Sequence, residues 1–315
     1  MRVLVTGGAG FIGSHVVDVL VSAGAQVAVL DDLSTGRFEN LNPGANFYRG
    51  SIEGAELVEL IERERPAVVF HQAAQVDVQR SLREPLADVK TNISGTLNLL
   101  EVCRRFGVKK VVYASSAAVY GNPSYLPVDE KHPVEPLSCY GISKYVPELY
   151  LETYRHLYGL NYTVLRYANV YGPRQDVQGE GGVVAVFTWK LLRGESPCIF
   201  GDGEQTRDFI YVKDVAAANL AAIDGGNGMV LNISTGAPVS VNTLFAGLKE
   251  ITGSPLGAVY GPPRPGDITH SYLSAERAGA AVGWSPRYSL AEGLRETVAH
   301  YAEKSSMPPC GAGRG

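Results

Sequence analysis

The sequence predicts a doubly wound α/β fold, a parallel sheet covered by helices on both faces, followed by a smaller lobe of mixed structure. Three observations carry that expectation. Short apolar runs alternate with helical stretches, a glycine-rich turn joins the first run to the first helix, and the rhythm breaks after Arg166. Strands that are apolar along their whole length belong in a parallel sheet buried on both faces, because a strand with one wet face alternates. Short connections between such elements favour the doubly wound layering.

In chain order, Arg2–Thr6 reads as the first strand, a helix follows from about Phe11 to Ala23, and Gln26–Leu30 is the second apolar run. Ala67–Phe70, a helix around Pro85–Phe106, the strand Lys110–Ala114, a helix from about Ser138 to Tyr158 and the strand Tyr162–Arg166 continue the alternation. Beyond Arg166, Pro and Gly become frequent (Gly172-Pro173, Gly179 to Gly182, Gly201 to Gly203, Gly261 to Gly266), which marks binding loops rather than more regular sheet. Arg207–Ile223 reads as a strand and a helix returning to the first lobe. The expected division therefore places residues 1–168, with 206–232 returning, in a dinucleotide-binding domain. Residues 169–205 and 233–304 form a substrate-binding lobe, and 305–315, small and polar with Pro308-Pro309, a disordered tail.

Composition narrows the function. With 45% hydrophobic and 19% charged residues over 315 positions, the chain can bury a large core without disulfides or metal. A net charge of −4 argues against nucleic acid as the main partner. No apolar run reaches the roughly 18 residues of a membrane span. Met1 leads almost directly into the first strand, so no leader is expected and a cytoplasmic location is. The four cysteines (Cys103, Cys139, Cys198, Cys310) are far apart and the six histidines show no metal-ligand spacing, so no metal is expected.

Gly8-Ala9-Gly10-Phe11-Ile12-Gly13 lies between a predicted strand and a predicted helix. Its glycines allow a tight turn and close approach to a pyrophosphate, while the helix N-terminus presents N–H groups to it. Asp31 ends the second strand at the spacing expected of a carboxylate that accepts hydrogen bonds from an adenosine ribose. That carboxylate would repel a 2′-phosphate, and no arginine directly follows it: Asp32-Leu33 comes next. The expected cofactor is NAD rather than NADP.

Ser115-Ser116 lies just beyond the strand Lys110–Ala114, at the carboxyl edge where open α/β sheets bind ligands. Tyr140 and Lys144 are four residues apart at the start of a predicted helix and so project from one face. An unperturbed tyrosine, with a pKa of about 10, is a poor base near neutrality. An adjacent ammonium and an oxidised nicotinamide would both favour its phenolate. Ser116 would hydrogen-bond the same substrate oxygen.

The segments Thr6–Gly13, Ser115–Gly121, Tyr140-Gly141-Ile142-Ser143-Lys144 and Leu165–Asn169, with Thr206–Ile210 and Arg264-Pro265-Gly266-Asp267, resemble the extended short-chain dehydrogenase/reductase family. Their order and spacing span residues 1 to about 300. Within it the resemblance is to the short UDP-glucose (UDP-galactose) 4-epimerases. It implies a Rossmann fold, with Tyr140 as the base, Lys144 as its electrostatic partner and ribose ligand, and Ser116 as the second hydrogen-bonding group. The implied cofactor site comprises Gly7, Gly10, Phe11, Ile12, Gly13, Asp31, Asp32, Ser51, Ile52, Ala73, Ala74, Gln75, Asn92, Ser115, Tyr140, Lys144 and Tyr167. Asn169 would contact the substrate diphosphate, clamped by Arg207 and Arg264, whose guanidinium forks suit phosphate oxygens. Gly182, Val183, Cys198 and Phe200 would line the nucleobase pocket, and Asp267 would bind the substrate ribose or fix its arginine neighbour. Ser271 falls at the wall of the sugar pocket, where a small residue leaves room for an N-acetyl group.

Three positions depart from the family pattern: Ser51 stands where an aspartate is usual, Val76 where some members have lysine, and Phe209 where tyrosine is common. The implied reaction is 4-epimerisation of UDP-glucose and UDP-galactose through a transient 4-keto sugar, with the N-acetylated pair as further substrates, in galactose metabolism. The alternatives are another nucleotide-sugar epimerase or dehydratase, on a uronic-acid or dTDP-sugar substrate, or a non-catalytic NAD-binding regulator. A 4,6-dehydratase carries an Asp-Glu pair where this chain has Ala117-Ala118. A regulator has no physical need for Ser116, Tyr140 and Lys144 together. The resemblance also implies a homodimer, pairing the helices around Pro85–Phe106 and Ser138–Tyr158 with their twofold mates.

Overall fold

The computed structural model describes residues 1–177, 182–263 and 268–306. Seven parallel strands form the main sheet: β1 (Arg2–Thr6), β2 (Gln26–Asp31), β3 (Asn46–Arg49), β4 (Val68–His71), β5 (Lys110–Ser116), β6 (Asn161–Tyr167) and β10 (Met229–Ile233). Their spatial order is β3-β2-β1-β4-β5-β6-β10. The order reverses between β1 and β4, the switch point at which a Rossmann sheet opens a crevice at the carboxyl ends of its strands.

The continuous apolar runs are explained by what lies on each face. On β1, Val3 and Val5 pack into a core with Val16, Val17 and Leu20 of helix α1 (Phe11–Ser22) and Val215, Ala216 and Ala218 of α8 (Val212–Ala221). Leu4, between them, points the other way, toward Leu57 and Leu60 of α2 (Glu56–Glu64) and Leu99, Leu100 and Cys103 of α5 (Thr96–Phe106). Both faces are dry, so the three central positions, Val3, Leu4 and Val5, are all apolar. The turn between β1 and α1 needs its glycines for space. Gly7 has φ +71°, and a Cβ on Gly13 would sit 2.1 Å from the Gly7 carbonyl oxygen.

A third core serves the smaller lobe. Val184, Phe187 and Leu191 of α7 (Val183–Leu192) pack with Leu244 and Leu248 of α9 (Val241–Thr252) and Leu294 of α11 (Leu290–Ser306). Two small sheets stand beside it. One orders β11 (Pro238–Ser240), β9 (Thr206–Tyr211) and β7 (Asn169–Tyr171); the other pairs β12 (Val259–Gly261) with β8 (Cys198–Phe200).

Several sequence expectations change here. The segment 206–232 does not return to the first lobe as a whole: β9 pairs with β7 and β11, while α8 packs on α1 and β10 completes the main sheet. The helix expected over Pro85–Phe106 is α4 (Pro85–Val89), a π-helical stretch Lys90–Gly95, and then α5. The edge strand β3 lacks an apolar run, since only Phe47 and Tyr48 are half-buried. Residues 305 and 306, expected in a disordered tail, belong to α11; the rest of that expected tail, 307–315, lies outside the described residues.

Candidate active site

A cavity of about 600 Å³ opens along the carboxyl ends of β1, β2, β4, β5 and β6 and continues to β7, β9 and the start of α7. Its first half begins at the glycine turn. Gly7, Gly10, Phe11, Ile12 and Gly13 line it at the β1–α1 turn, where the first N–H groups of a helix have no intrahelical partner. Asp31, 7% exposed, accepts the Ala9 N–H on Oδ2 and the Leu33 N–H on Oδ1, each at 2.9 Å. Asp32, Ser51, Ile52, Ala73 and Ala74 complete this wall.

The middle of the cavity holds Ser115, Ser116, Tyr140, Lys144 and Tyr167. Helix α6 (Cys139–Tyr158) places Tyr140 and Lys144. The Ser138 hydroxyl caps its start by accepting the Gly141 N–H at 3.0 Å, and the Tyr140 N–H donates to Ser81 Oγ at 3.1 Å. Gly141 lets the helix close on the serine strand, since a Cβ there would lie 2.7 Å from the Ala118 carbonyl oxygen. Lys144 is buried, donating from Nζ to the Ala114 carbonyl at 2.7 Å. Ser116 Oγ accepts the Ala118 N–H at 3.1 Å and hydrogen-bonds the Tyr140 side chain.

The electrostatics differ from the expected depressed phenol. Burial pushes the Tyr140 phenol up to about 12, only partly offset by the Ser116 hydrogen bond, and Asp88 raises it further. Burial pulls Lys144 down to about 8, against the carboxylates of Asp88 and Glu148. The protein alone therefore keeps Tyr140 protonated.

Not every expected residue reaches the cavity. Gln75 and Asn92 stand behind its wall: Asn92 is buried, accepts the Gln75 N–H at 2.8 Å and donates to the Gln75 carbonyl at 2.9 Å. Of the expected substrate ligands, Asn169, Gly182 and Val183 line the cavity with Ser116 and Tyr140. Cys198 and Phe200 lie on β8, away from that lining. Arg207, half-buried on β9, donates to the Thr206 carbonyl at 2.9 Å, and the Ser271 N–H reaches the same carbonyl at 3.2 Å. These two flank β9 outside the cavity wall. Arg264 and Asp267 lie outside the described residues.

Sequence reasoning missed Gln72, Arg37 and the run Arg174-Gln175-Asp176, all of which line the cavity. Gln72 follows β4 and was findable from the strand-end rule; the Tyr167 hydroxyl accepts its Nε2 at 3.2 Å. Arg174–Asp176 come from a loop after β7 with no local motif. That loop is anchored by Arg174 Nη1 to Asp18 Oδ2 at 2.8 Å and by the Arg174 N–H to His300 Nε2 at 3.2 Å.

The first half of the cavity fits a dinucleotide. Each Asp31 oxygen takes one backbone N–H and keeps a second lone pair for a ribose hydroxyl. The Gly10 position is tight, as a Cβ there would stand 3.2 Å from the Gly7 carbonyl oxygen. Arg37, the cation nearest in sequence to Asp31, faces Glu39 at 3.9 Å and Asp176 at 3.7 Å.

Comparison with known proteins agrees with this geometry. The structure matches a UDP-glucose 4-epimerase of Thermotoga maritima, solved with UDP-glucose, at a TM-score of 0.95 and 52% identity over 97% of this chain and all of that one. A Thermus thermophilus UDP-glucose 4-epimerase in complex with NAD matches at 0.90 and 42% identity, over 98% of this chain and all of that one. A UDP-N-acetylglucosamine 4-epimerase of Methanobrevibacter ruminantium, in complex with UDP-N-acetylmuramic acid, matches at 0.92 and 38% identity, over 96% and 98%. Residues 3–234 match the profile of the NAD dependent epimerase/dehydratase family. This chain belongs to that family, and NAD is its cofactor.

Proposed function

We propose that the protein interconverts UDP-glucose and UDP-galactose by 4-epimerisation, and accepts the corresponding N-acetylated pair. The observation that carries the reading is the grouping of Ser116, Tyr140 and Lys144 at the junction of the cavity's two halves. Tyr140 takes the proton from the sugar 4-hydroxyl while Ser116 holds the same oxygen, and Lys144 stabilises the phenolate that this requires. NAD, held by the Gly7–Gly13 turn and Asp31, would supply the hydride acceptor for C4 and the hydride donor for its return. The returned hydride would cancel the oxidation and the proton given back by Tyr140 would restore the 4-hydroxyl, so neither cofactor nor enzyme is changed overall.

Asn169 would hold the diphosphate, and Gly182 and Val183 would flank the uracil. Arg207, Cys198, Phe200 and Ser271, which stand off the cavity lining, would meet the substrate where it extends past that lining, with Arg264 clamping the diphosphate and Asp267 binding the ribose or fixing its arginine neighbour. Ala117-Ala118 favours epimerisation over 4,6-dehydration, because expelling a 6-hydroxyl needs an acid and a base there. The likeness to a UDP-N-acetylglucosamine 4-epimerase supports the wider sugar range.

A homodimer through α4, α5 and α6 is supported by the apolar side chains that α4 and α6 expose, among them Leu86, Val89, Leu149 and Leu157. No helix among the described residues is long and apolar enough to cross a membrane, and a cytoplasmic site of action fits the proposed substrates. The test is a sugar-nucleotide panel, read by chromatography with and without added NAD. Turnover of UDP-galactose is expected; dehydrated products, or no turnover of any UDP-hexose, would reject the reading.

A further inference from the structure

Two carboxylates are buried against the helix that carries Tyr140 and Lys144, and they differ in how their charge is met. Glu148, one turn beyond Lys144, is held by Arg166 through Nε at 3.0 Å and Nη2 at 2.5 Å, and accepts the Ser115 hydroxyl at 2.6 Å. Asp88, at the end of α4, is fully buried. Its Oδ1 accepts Gln75 Nε2 at 2.8 Å and Asn92 Nδ2 at 3.2 Å, both neutral amides, and its buried Oδ2 has no hydrogen-bond partner among the described residues.

The surroundings of Asp88 connect it to the site on two sides. Immediately after α4 the helix widens into the π-helical stretch Lys90–Gly95, a distortion that re-aims side chains and recurs at functional sites. Asn92, in that stretch, also donates to Ser143 Oγ at 2.9 Å, and Ser143 Oγ donates to the Tyr140 carbonyl at 3.1 Å. Gln75 belongs to the loop after β4, whose Ala73, Ala74 and Val76 line the cavity. Asp88 thus ties the cofactor-facing loop to the catalytic helix.

The charged and titratable groups facing Tyr140 and Lys144 can be taken element by element. From α6 comes Glu148, neutralised by Arg166. From β4 comes His71, which burial keeps neutral between the Thr6 and Thr96 hydroxyls. From β5 come Ser116 and Tyr113, whose ring centroid lies 5.2 Å from Lys144 Nζ. From α4 comes Asp88, which among these described groups carries the charge that no ion pair meets. A buried carboxylate favours a neighbouring ammonium and opposes a neighbouring phenolate, so both groups keep their protons to higher pH. For Lys144 this works against burial; for Tyr140 it adds to burial.

We propose that Asp88 is a positioning residue of this site, whose buried carboxylate holds the cofactor-facing loop to the catalytic helix and keeps Lys144 an ammonium beside Tyr140. The assignment rests on the reading of Tyr140 and Lys144 as the acid–base pair. D88N removes the charge and keeps the shape. In the NAD-loaded protein, the Lys144 ε-methylene is titrated by carbon-13 NMR, with K144M to identify its signal. Its midpoint is expected to fall by about one pH unit in D88N. An unchanged midpoint overturns the assignment. The alkaline limb of the kcat profile on UDP-galactose should move down by a similar amount with KM little changed. A fall in kcat at every pH without displacement of that limb would mark Asp88 as merely structural. If D88N fails to keep its NAD or its melting temperature, Asp88→Ser, smaller and also neutral, goes through the same titration and the same outcomes decide. Should the wild type turn over no UDP-hexose, the epimerase reading falls, while the NMR midpoint still decides the role of Asp88.

Discussion

From Gly7 to Ile52 the cavity wall stands at the ends of β1, β2 and β3 of the main sheet, whereas from Asn169 to Phe209 it stands on short strands, a helix start and a loop. The first wall stands mainly on β1 and β2, whose apolar side chains are buried in the cores on both faces of the sheet, and that makes it the rigid one. The second rests on β7, three residues long, on the start of α7 and on a loop tied down by single contacts such as Arg174 to Asp18. A rigid wall suits a cofactor that stays bound through turnover. An adjustable wall suits a sugar that must turn over within it.

The largest expected effect lies where the two walls meet. Tyr140→Phe removes the hydroxyl that exchanges the proton with the sugar and should lower kcat by about 10²–10⁴-fold, with substrate binding nearly unchanged. Steady-state kinetics on UDP-galactose and a binding titration measure the two parts separately. A variant within a few-fold of wild type would remove Tyr140 from the mechanism. Next comes the rigid wall itself. Gly13→Ala places a Cβ 2.1 Å from the Gly7 carbonyl oxygen, which is backbone and cannot swing away. Overpacking of that kind costs about 1–3 kcal/mol, so the melting temperature should fall and the purified protein should lose its nicotinamide absorbance. Retained NAD at wild-type stability would show that this wall is more pliant than its neighbours imply.

The same contrast decides what could be read from the sequence. The Gly7–Gly13 turn, Asp31 and Ser116 were legible because sheet geometry dictates them: a tight turn needs glycine, and ligands bind at strand ends. Tyr140 and Lys144 were legible as a pair because helical spacing puts them on one face. The phenol's protonation was not legible, since it depends on burial and on Asp88, 52 residues earlier in sequence and brought close only by folding. Gln75 and Asn92 were expected at the cofactor and are instead its scaffold, bonded to each other. The strand β9 was misplaced because an apolar strand reads the same in a small sheet as in the main one. Arg174–Asp176 had no signal at all, because a loop anchored by distant partners has no local pattern.

Ser271, off the cavity lining but bonded through its N–H to the Thr206 carbonyl of β9, tests whether this side of the molecule sets the sugar range. Ser271→Tyr is expected to slow turnover of UDP-N-acetylglucosamine by about tenfold or more while sparing UDP-galactose, in line with what one added group does in a pocket. The comparison is made by kcat/KM on both sugars. Equal slowing of both, or wild type inactive on the acetylated sugar, would show that Ser271 does not set the sugar range.

The smallest effect belongs to the contact that joins the walls across the cavity, Arg37 Nη2 to Asp176 Oδ1 at 3.7 Å. Arg37 comes from the segment after β2 and Asp176 from the loop after β7, so the pair closes over the dinucleotide half from the adjustable side. Both side chains are about half exposed, at 51% and 53%, and water and salt screen them. Exposed pairs of this kind contribute about 0.2–1 kcal/mol, which limits Asp176→Asn to a rise of about fivefold or less in the dissociation rate of NAD. The sign follows from position, since a loosened loop opens the mouth without touching Asp31 or the glycine turn. Stopped-flow displacement of bound NAD, run at low and high salt, should show the wild-type rate rising toward the variant's as salt is added. A variant that releases NAD tens of times faster would mean that the adjustable wall holds the cofactor as firmly as the rigid one. A wild-type rate indifferent to salt would mean that the pair contributes nothing to holding it.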